Sequence, residues 1–207
     1  MAPPTVLLID DDVFTRTTLS AALSGVGYRV VSSSSASEAI NISKQDEISI
    51  AILDLDLGPG PTGIDLAVAL RRQSPNIGVI FLTSYSDPRL LNPTDTALPA
   101  GSRYITKSQL SDISQLARLI DQTFAHPLRT MFKAPKTETE LSAHQIEVLR
   151  LIAAGYSTSQ IATELKLSIK AVEGVISRIN TSIGISETNS NKRVLLTNFY
   201  YQLIGKL

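Results

Sequence analysis

Cysteine is absent from the 207-residue chain. That single absence removes disulfides, thiolate metal sites and cysteine nucleophiles. Histidine occurs only twice, at His126 and His144, so a histidine-rich metal site is excluded as well. No apolar run reaches the ~18 residues that a membrane-spanning helix requires. The opening MAPPTVLLID joins no basic region to a long apolar stretch, so a secretory leader is not expected. A soluble cytoplasmic protein without membrane contact is the simplest reading. An excess of either charge is missing too. Nineteen Lys and Arg balance nineteen Asp and Glu, which argues against indiscriminate nucleic-acid binding through bulk charge.

What is present is enough apolar matter for packed cores, 43% of residues, in a length that suits one large domain or two small ones. Charge is unevenly spread. Residues 1–120 hold 9 Lys/Arg against 12 Asp/Glu, a balance of −3, whereas residues 136–207 hold 8 against 6, a balance of +2. This mild asymmetry permits DNA binding by the C-terminal part without demanding it.

The first half alternates short apolar runs with amphipathic stretches. Val6–Ile9, Arg29–Val31, Ile48–Leu53, Gly78–Leu82 and Arg103–Ile105 read as strands. Several are continuously apolar, as strands covered on both faces should be. Helical spacing fills the intervals at Val13–Ser24, Ala36–Lys44, Gly63–Gln73 and Gln109–Phe124. The interval Asp87–Pro99 should hold a further helix, but Pro88, Pro93 and Pro99 predict a short or irregular one. Strand–helix alternation repeated five times predicts an α/β fold, a (βα)5 parallel sheet with helices on both faces, over residues 1–124. Residues 125–140, AHPLRTMFKAPKTETE, lack a period and hold two prolines, which marks a linker. From residue 141 to 207 no strand pattern returns. Ser142–Ala154, Thr158–Leu165, Ser168–Ser182 and about Asn191–Leu203 read as four helices, with Ser142 and Ser168 as N-caps and Gly155 and Gly184 as terminators.

Ligand sites of parallel α/β sheets gather beyond the carboxyl ends of the strands. The first strand runs into Asp10, Asp11 and Asp12. The third runs into Asp54-Leu-Asp56, the fourth ends in Thr83-Ser84, and the fifth ends in Tyr104-Ile-Thr-Lys107. Carboxylates crowded at one edge repel one another unless a cation joins them, and an all-oxygen set of this kind favours Mg²⁺. A central Asp can attack a phosphoryl group as a carboxylate nucleophile, with the metal and a lysine neutralising the phosphoryl oxygens. Asp10, Asp11, Asp54, Thr83 and Lys107 supply these parts. Taken singly they say little: an Asp after a strand is usually a cap or turn residue. Asp12 is assigned that role, and the Asp56 side chain can simply be solvated.

The order LLIDDD, AILDLDLGPGPTG, VIFLTS, YITK resembles the receiver domains of bacterial response regulators across residues 5–124. The resemblance implies a flavodoxin-like receiver with Asp54 as phosphoacceptor. It implies Mg²⁺ bound by Asp11, by Asp10 partly through water, by Asp54 and by the backbone carbonyl of Asp56. It also implies Thr83 as the hydroxyl that moves to the phosphoryl group, Lys107 as its ion-pair partner and Tyr104 as a switch aromatic. Three features depart from the family pattern. The loop Gly58-Pro-Gly-Pro61 is one residue longer, Ser108 follows the lysine in place of proline, and the proline-rich Asp87–Arg103 interval falls where the output surface is normally built.

In the C-terminal part, Ile146, Leu149, Ile152, Ile161, Leu165, Val172, Val175, Ile176 and Ile179 fit three packed helices. The hinge Lys166-Leu167-Ser168 fits a helix-turn-helix. A small helical module without a ligand fits the same pattern. LSAHQIEVLRLIAAG, IATEL and the Ile183-Gly184-Ile185 close resemble the LuxR-type output domain of the NarL/FixJ class over residues 141–203. That implies a recognition helix at Ser168–Ser182 and makes Lys170, Arg178, Lys192 and Arg193 the candidates for phosphate or base contacts. The family's usual threonine, lysine and histidine are replaced by Ala171, Glu173 and Val175. Glu173 either accepts from a cytosine amino group or is silent. The last helix presents Val194, Leu195, Phe199 and Leu203, as ordinary core or, by the resemblance, as a dimer interface.

The sequence therefore predicts a phosphorylation-controlled transcriptional regulator of a two-component system. A histidine kinase serves it, it acts as a homodimer on an inverted-repeat operator, and its own chemistry is limited to self-phosphorylation and dephosphorylation. Two alternatives stand beside this. One is a phosphate-independent regulator working through protein contacts. The other is an Asp-nucleophile phosphatase, suggested by the spacing of Asp54-Leu-Asp56 but opposed by its position after the third strand.

Overall fold

A computed structural model describes residues 3–91, 98–128, 141–186 and 191–205. Among these, the elements run β1 (Thr5–Ile9), α1 (Val13–Gly25), β2 (Arg29–Ser33), α2 (Ala36–Gln45), β3 (Ile50–Leu53), α3 (Gly63–Gln73), β4 (Gly78–Thr83), a 3-10 turn (Pro88–Leu90), β5 (Arg103–Thr106), a second 3-10 turn (Lys107–Gln109) and α4 (Ile113–Ala125). They continue with α5 (Ala143–Ala153), α6 (Thr158–Glu164), α7 (Ile169–Ser182) and α8 (Lys192–Leu203). Most of the expected linker, from residue 129 to 140, lies outside the described residues.

The five strands form one parallel sheet in the order β2-β1-β3-β4-β5, the doubly wound arrangement. Every residue of β3, β4 and β5 is buried, as a sheet covered on both faces requires. Alternation along the strands divides the core in two. Val6, Leu8, Ile50, Ile52, Ile80 and Leu82 face Leu23 of α1 and Leu116 and Ile120 of α4. Leu7, Ile9, Ala51, Leu53, Val79 and Phe81 take the other face, the side of the buried Ala39 of α2 and Leu66, Ala67 and Leu70 of α3. Burying a side chain of this size contributes about 1.5–3 kcal/mol, so the strand ends above the two cores are held on a rigid base.

Helix starts follow local chemistry. Asp12, Ser35, Thr62 and Asp112 each accept the N–H three residues on, which satisfies an otherwise orphaned donor. Asp12 is thus the cap that its position suggests. The last helix of the sheet begins at Ile113 rather than at Gln109. Asp112 claims the capping position, Gln115 reaches back to the Ser111 N–H at 3.1 Å, and the chain ahead tightens into the 3-10 turn at Lys107–Gln109.

Cα proximity divides the chain into two compact units. The first comprises the sheet with α1–α4. The second comprises α5–α8 together with Tyr85–Leu91. That last segment follows β4 directly. Its short 3-10 turn matches the irregularity that Pro88 predicts, while the residues after Leu91 up to 97 lie outside the described ones.

In the helical unit Ser142, Ser157 and Ser168 cap α5, α6 and α7 through the N–H groups of Gln145, Gln160 and Ala171. The first two are full capping boxes. Gly155 and Gly184 take positive φ after their helices, as their sequence positions suggest. The turn joining α6 to α7 contains Lys166 at φ 56°, a left-handed conformation unusual for a side-chain-bearing residue. Ile161, Val172, Val175 and Ile179 close the core between α6 and α7.

Candidate functional site

The parallel register fixes which residues meet at the carboxyl end of the sheet. Ile9 pairs with Leu53, and the ladder extends one step further as the Asp54 N–H donates to the Ile9 carbonyl at 2.9 Å. Asp10 and Asp54 therefore emerge side by side. Both are buried, at 1% and 6% exposure, while Asp11 is exposed. One carboxylate oxygen from each of Asp10, Asp11 and Asp54 lies within 4.8 Å of the others. Leu53 pairs with Phe81, which puts the buried Thr83 at the same end of the neighbouring strand, and Thr83 pairs in turn with Thr106.

Lys107 follows at the end of β5 and bridges the two buried carboxylates. Its Nζ donates to Asp54 Oδ2 at 2.6 Å and to Asp10 Oδ2 at 2.8 Å. Burial pushes the Asp10 carboxyl above its ordinary value and the nearby Asp54 charge adds to this, with Lys107 opposing. Burial alone would lower the lysine, but the Asp54 and Asp10 carboxylates outweigh it and hold Lys107 above its ordinary value. One ammonium thus partly neutralises two acidic groups in a confined space, leaving the exposed Asp11 open towards solvent. All-oxygen donors at this spacing suit a small divalent cation.

The remaining residues of the predicted set take distinct positions. The Asp56 side chain turns to its own loop and accepts the Gly58 N–H at 3.2 Å, while its N–H points at Asp54 Oδ1 at 3.4 Å. Tyr104 is buried within β5, beside Phe81. The longer loop after Asp54 is accommodated by Gly58 and Gly60, both at positive φ.

Two residues at this site were not singled out from the sequence. Arg16, one helical turn past the Asp12 cap, donates to the carbonyls of Asp10 at 2.7 Å and Asp11 at 3.3 Å, which ties the acidic turn to α1. Gly63 opens α3 directly against the loop that follows β3, and a Cβ there would stand 2.0 Å from the Asp54 carbonyl oxygen. The signal for Arg16 is its i+4 spacing from a helix cap. That for Gly63 is a glycine just inside a capping box, where a side chain would ordinarily be harmless.

On the helical unit, Lys170, Glu173 and Arg178 are all exposed on α7. Lys170 and Arg178 share a stripe with Gly174 between them, at steps of four residues. The guanidinium of Arg178 reaches back over that glycine, since a Cβ on Gly174 would lie 4.0 Å from its Nη1. Glu173, Lys192 and Arg193 instead line one hollow of about 340 Å³ together with Ser177 and Asn180. The predicted cations therefore form two groups, one along α7 and one beside Glu173. In α8 the core contact is Leu196. Val194 and Leu195 are exposed, while Phe199 and Leu203 are half-buried.

Comparison with known proteins agrees with both halves. Residues 6–118 match the family described as response regulator receiver domain. Residues 139–189 match the bacterial regulatory proteins of the luxR family. The response regulator protein VraR of Staphylococcus saprophyticus is 29% identical over 154 residues, covering 69% of this chain and 70% of that protein. Nodulation protein W of Bradyrhizobium diazoefficiens is 29% identical over 168 residues, covering 79% and 72%. Among solved structures, the RcsB response regulator of Salmonella typhimurium matches with a TM-score of 0.56 at 22% identity, over 99% of this chain and all of that one. At that identity the likeness concerns the fold.

Proposed function

The chain belongs to the response regulators, as a DNA-binding transcriptional regulator of a two-component system that joins a receiver to a LuxR-family domain, and on that premise we propose that Asp54 is the phosphoacceptor whose state controls DNA binding. One observation carries the reading: Lys107 bridges Asp54 and Asp10 at 2.6 and 2.8 Å, with Asp11 completing the oxygen cluster. The receiver occupies residues 1–124 and the linker 125–140, and residues 141–207 form the DNA-binding domain.

The donor set fits Mg²⁺, which Asp10, Asp11, Asp54 and the Asp56 backbone carbonyl would hold. When bound, the ion neutralises charge on the phosphoryl oxygens. An Asp54 carboxylate oxygen attacks the phosphorus of a phosphohistidine on the cognate kinase. The P–N bond breaks, and its electron pair stays with the imidazole. Lys107 shifts its ion pair from the carboxylate to the new phosphoryl group. Thr83 donates its hydroxyl to a phosphoryl oxygen, and Tyr104 adjusts to the displaced threonine. Catalysis is limited to the chain's own phosphorylation and dephosphorylation.

On DNA, α7 enters the major groove. Lys170 and Arg178 contact phosphate or base edges from the exposed stripe, and Lys192 and Arg193 contact the flanking backbone. Glu173 either accepts from a cytosine amino group or offsets the neighbouring cations. With so few cations the affinity of one copy is modest, so a homodimer on an inverted repeat is the active form, paired through the exposed Val194 and Leu195 of α8. No described helix is long and apolar enough to cross a membrane, in keeping with action in the cytoplasm.

Incubation with a small-molecule phosphodonor and Mg²⁺ should add one phosphoryl group to the intact chain, and Asp54→Asn should abolish that gain. Labelling that persists in Asp54→Asn would overturn the assignment.

A further inference from the structure

The family match to the receiver runs unbroken through residues 6–118, yet Tyr85–Leu91 groups with the helical unit. Its attachment there is specific. The Ser86 N–H donates to the Leu203 carbonyl at the end of α8, at 2.9 Å. Asp87 caps the 3-10 turn through the Arg89 N–H at 2.8 Å and holds the Arg89 guanidinium at 2.5 Å. The turn packs against α5. Leu90 is 2% exposed, and Tyr85 and Pro88 are buried.

The helical unit has a use for this cover. Ile146, Val148, Leu149, Leu151 and Ile152 of α5 are all buried. At 3.6 residues per turn they spread over roughly 220° of the helix, about twice the apolar stripe of an ordinary surface helix. The elements packed on α5 are α6, α7, α8 and the turn at Pro88–Leu90. The segment therefore completes a core shared by the helix that opens the DNA-binding domain and the helix that closes it.

We propose that Tyr85–Leu91 is a strap that couples the position of Thr83 to the packing of α5 and α8. The inference rests on the reading of Asp54 as phosphoacceptor. Only Ser84 separates Thr83 from Tyr85, a reach of about 7 Å when extended. A seated strap limits how far Thr83 travels. Drawing Thr83 towards a phosphoryl group on Asp54 pulls on Tyr85 and Ser86. That loosens the Ser86–Leu203 bond and the seat of Leu90, freeing the end of α8 that carries it. Coupling is reciprocal: unseating the strap frees Thr83 without any phosphate.

Hydrogen exchange on the full chain tests this, with Mg²⁺ throughout and beryllofluoride as the phosphoryl mimic. In the parent chain, beryllofluoride should protect the β3–α3 loop and speed exchange in residues 85–91 and 200–204 by about tenfold or more. Leu90→Ala should produce the same acceleration, with α5 included, before any beryllofluoride is added, leaving β1 and β3 unchanged. Ser86→Pro removes the donated hydrogen bond while keeping the apolar seat, and should accelerate residues 200–204 alone. If neither variant alters exchange in α5 or α8, the strap is not part of that core and the proposal fails. If beryllofluoride protects the β3–α3 loop but leaves residues 85–91 and α8 unchanged, the coupling fails while the acceptor reading stands. If beryllofluoride changes nothing anywhere, both fall.

Discussion

The acidic site depends on single residues that do different kinds of work. Asp10, Asp54 and Lys107 form the ion-paired centre, whereas Gly63 allows the centre to exist at all. Its missing side chain lets α3 begin against the Asp54 carbonyl, where a Cβ would stand 2.0 Å from the oxygen. Gly63→Ala must move either the loop after β3 or the start of α3. It should cost about 1–3 kcal/mol in urea unfolding and slow phosphoryl uptake, because the displaced backbone carries Asp54. Unchanged stability and unchanged labelling would show that the contact relaxes at no cost. At this scale the sequence was informative wherever a side chain closes a strand, which is how Asp10, Asp11, Asp54, Thr83 and Lys107 came to be grouped. It was silent on Arg16 and Gly63 because both act on backbone carbonyls, which no residue identity reveals.

At the scale of elements, several strands were readable because burial on both faces leaves continuous apolar runs, and the helices from their spacing, with Asp12, Ser142 and Ser168 marking three of the starts. The helix before the linker begins four residues later than its spacing suggests: Gln109 and Leu110 fit the period, but Asp112 offers the better cap. For α7 the pattern gives more than a boundary. Val172, Val175 and Ile179 face the core, which leaves Lys170 and Arg178 on the open stripe. If these two neutralise phosphates, Lys170→Ala and Arg178→Ala should each weaken binding to duplexes of unrelated sequence. Each should also reduce the slope of log affinity against log salt by about one. A slope unchanged in both variants would remove α7 from the phosphate-contacting surface. A slope unchanged in only one would assign that residue to base contact or to solvent.

For the molecule as a whole, the two-part organisation was legible from the stop in strand–helix alternation after Phe124. The allegiance of Tyr85–Leu91 was not. The short turn agrees with the irregularity expected from Pro88, but a three-residue turn has no period from which a partner could be read. Its buried Leu90 looks the same in sequence whichever core receives it. The arrangement nonetheless bears on regulation, since the chain passes from Thr83 into the helical unit within two residues. The account requires that occupancy of the Asp54 site alter what the helical unit does. The most direct measurement is the affinity of the full chain for a duplex selected from a random pool, taken in Mg²⁺ with and without beryllofluoride at fixed salt. Tighter binding by about tenfold or more with beryllofluoride, equivalent to about 1.4 kcal/mol and absent in Asp54→Asn, is the predicted result. Equal affinity in the two conditions would contradict it.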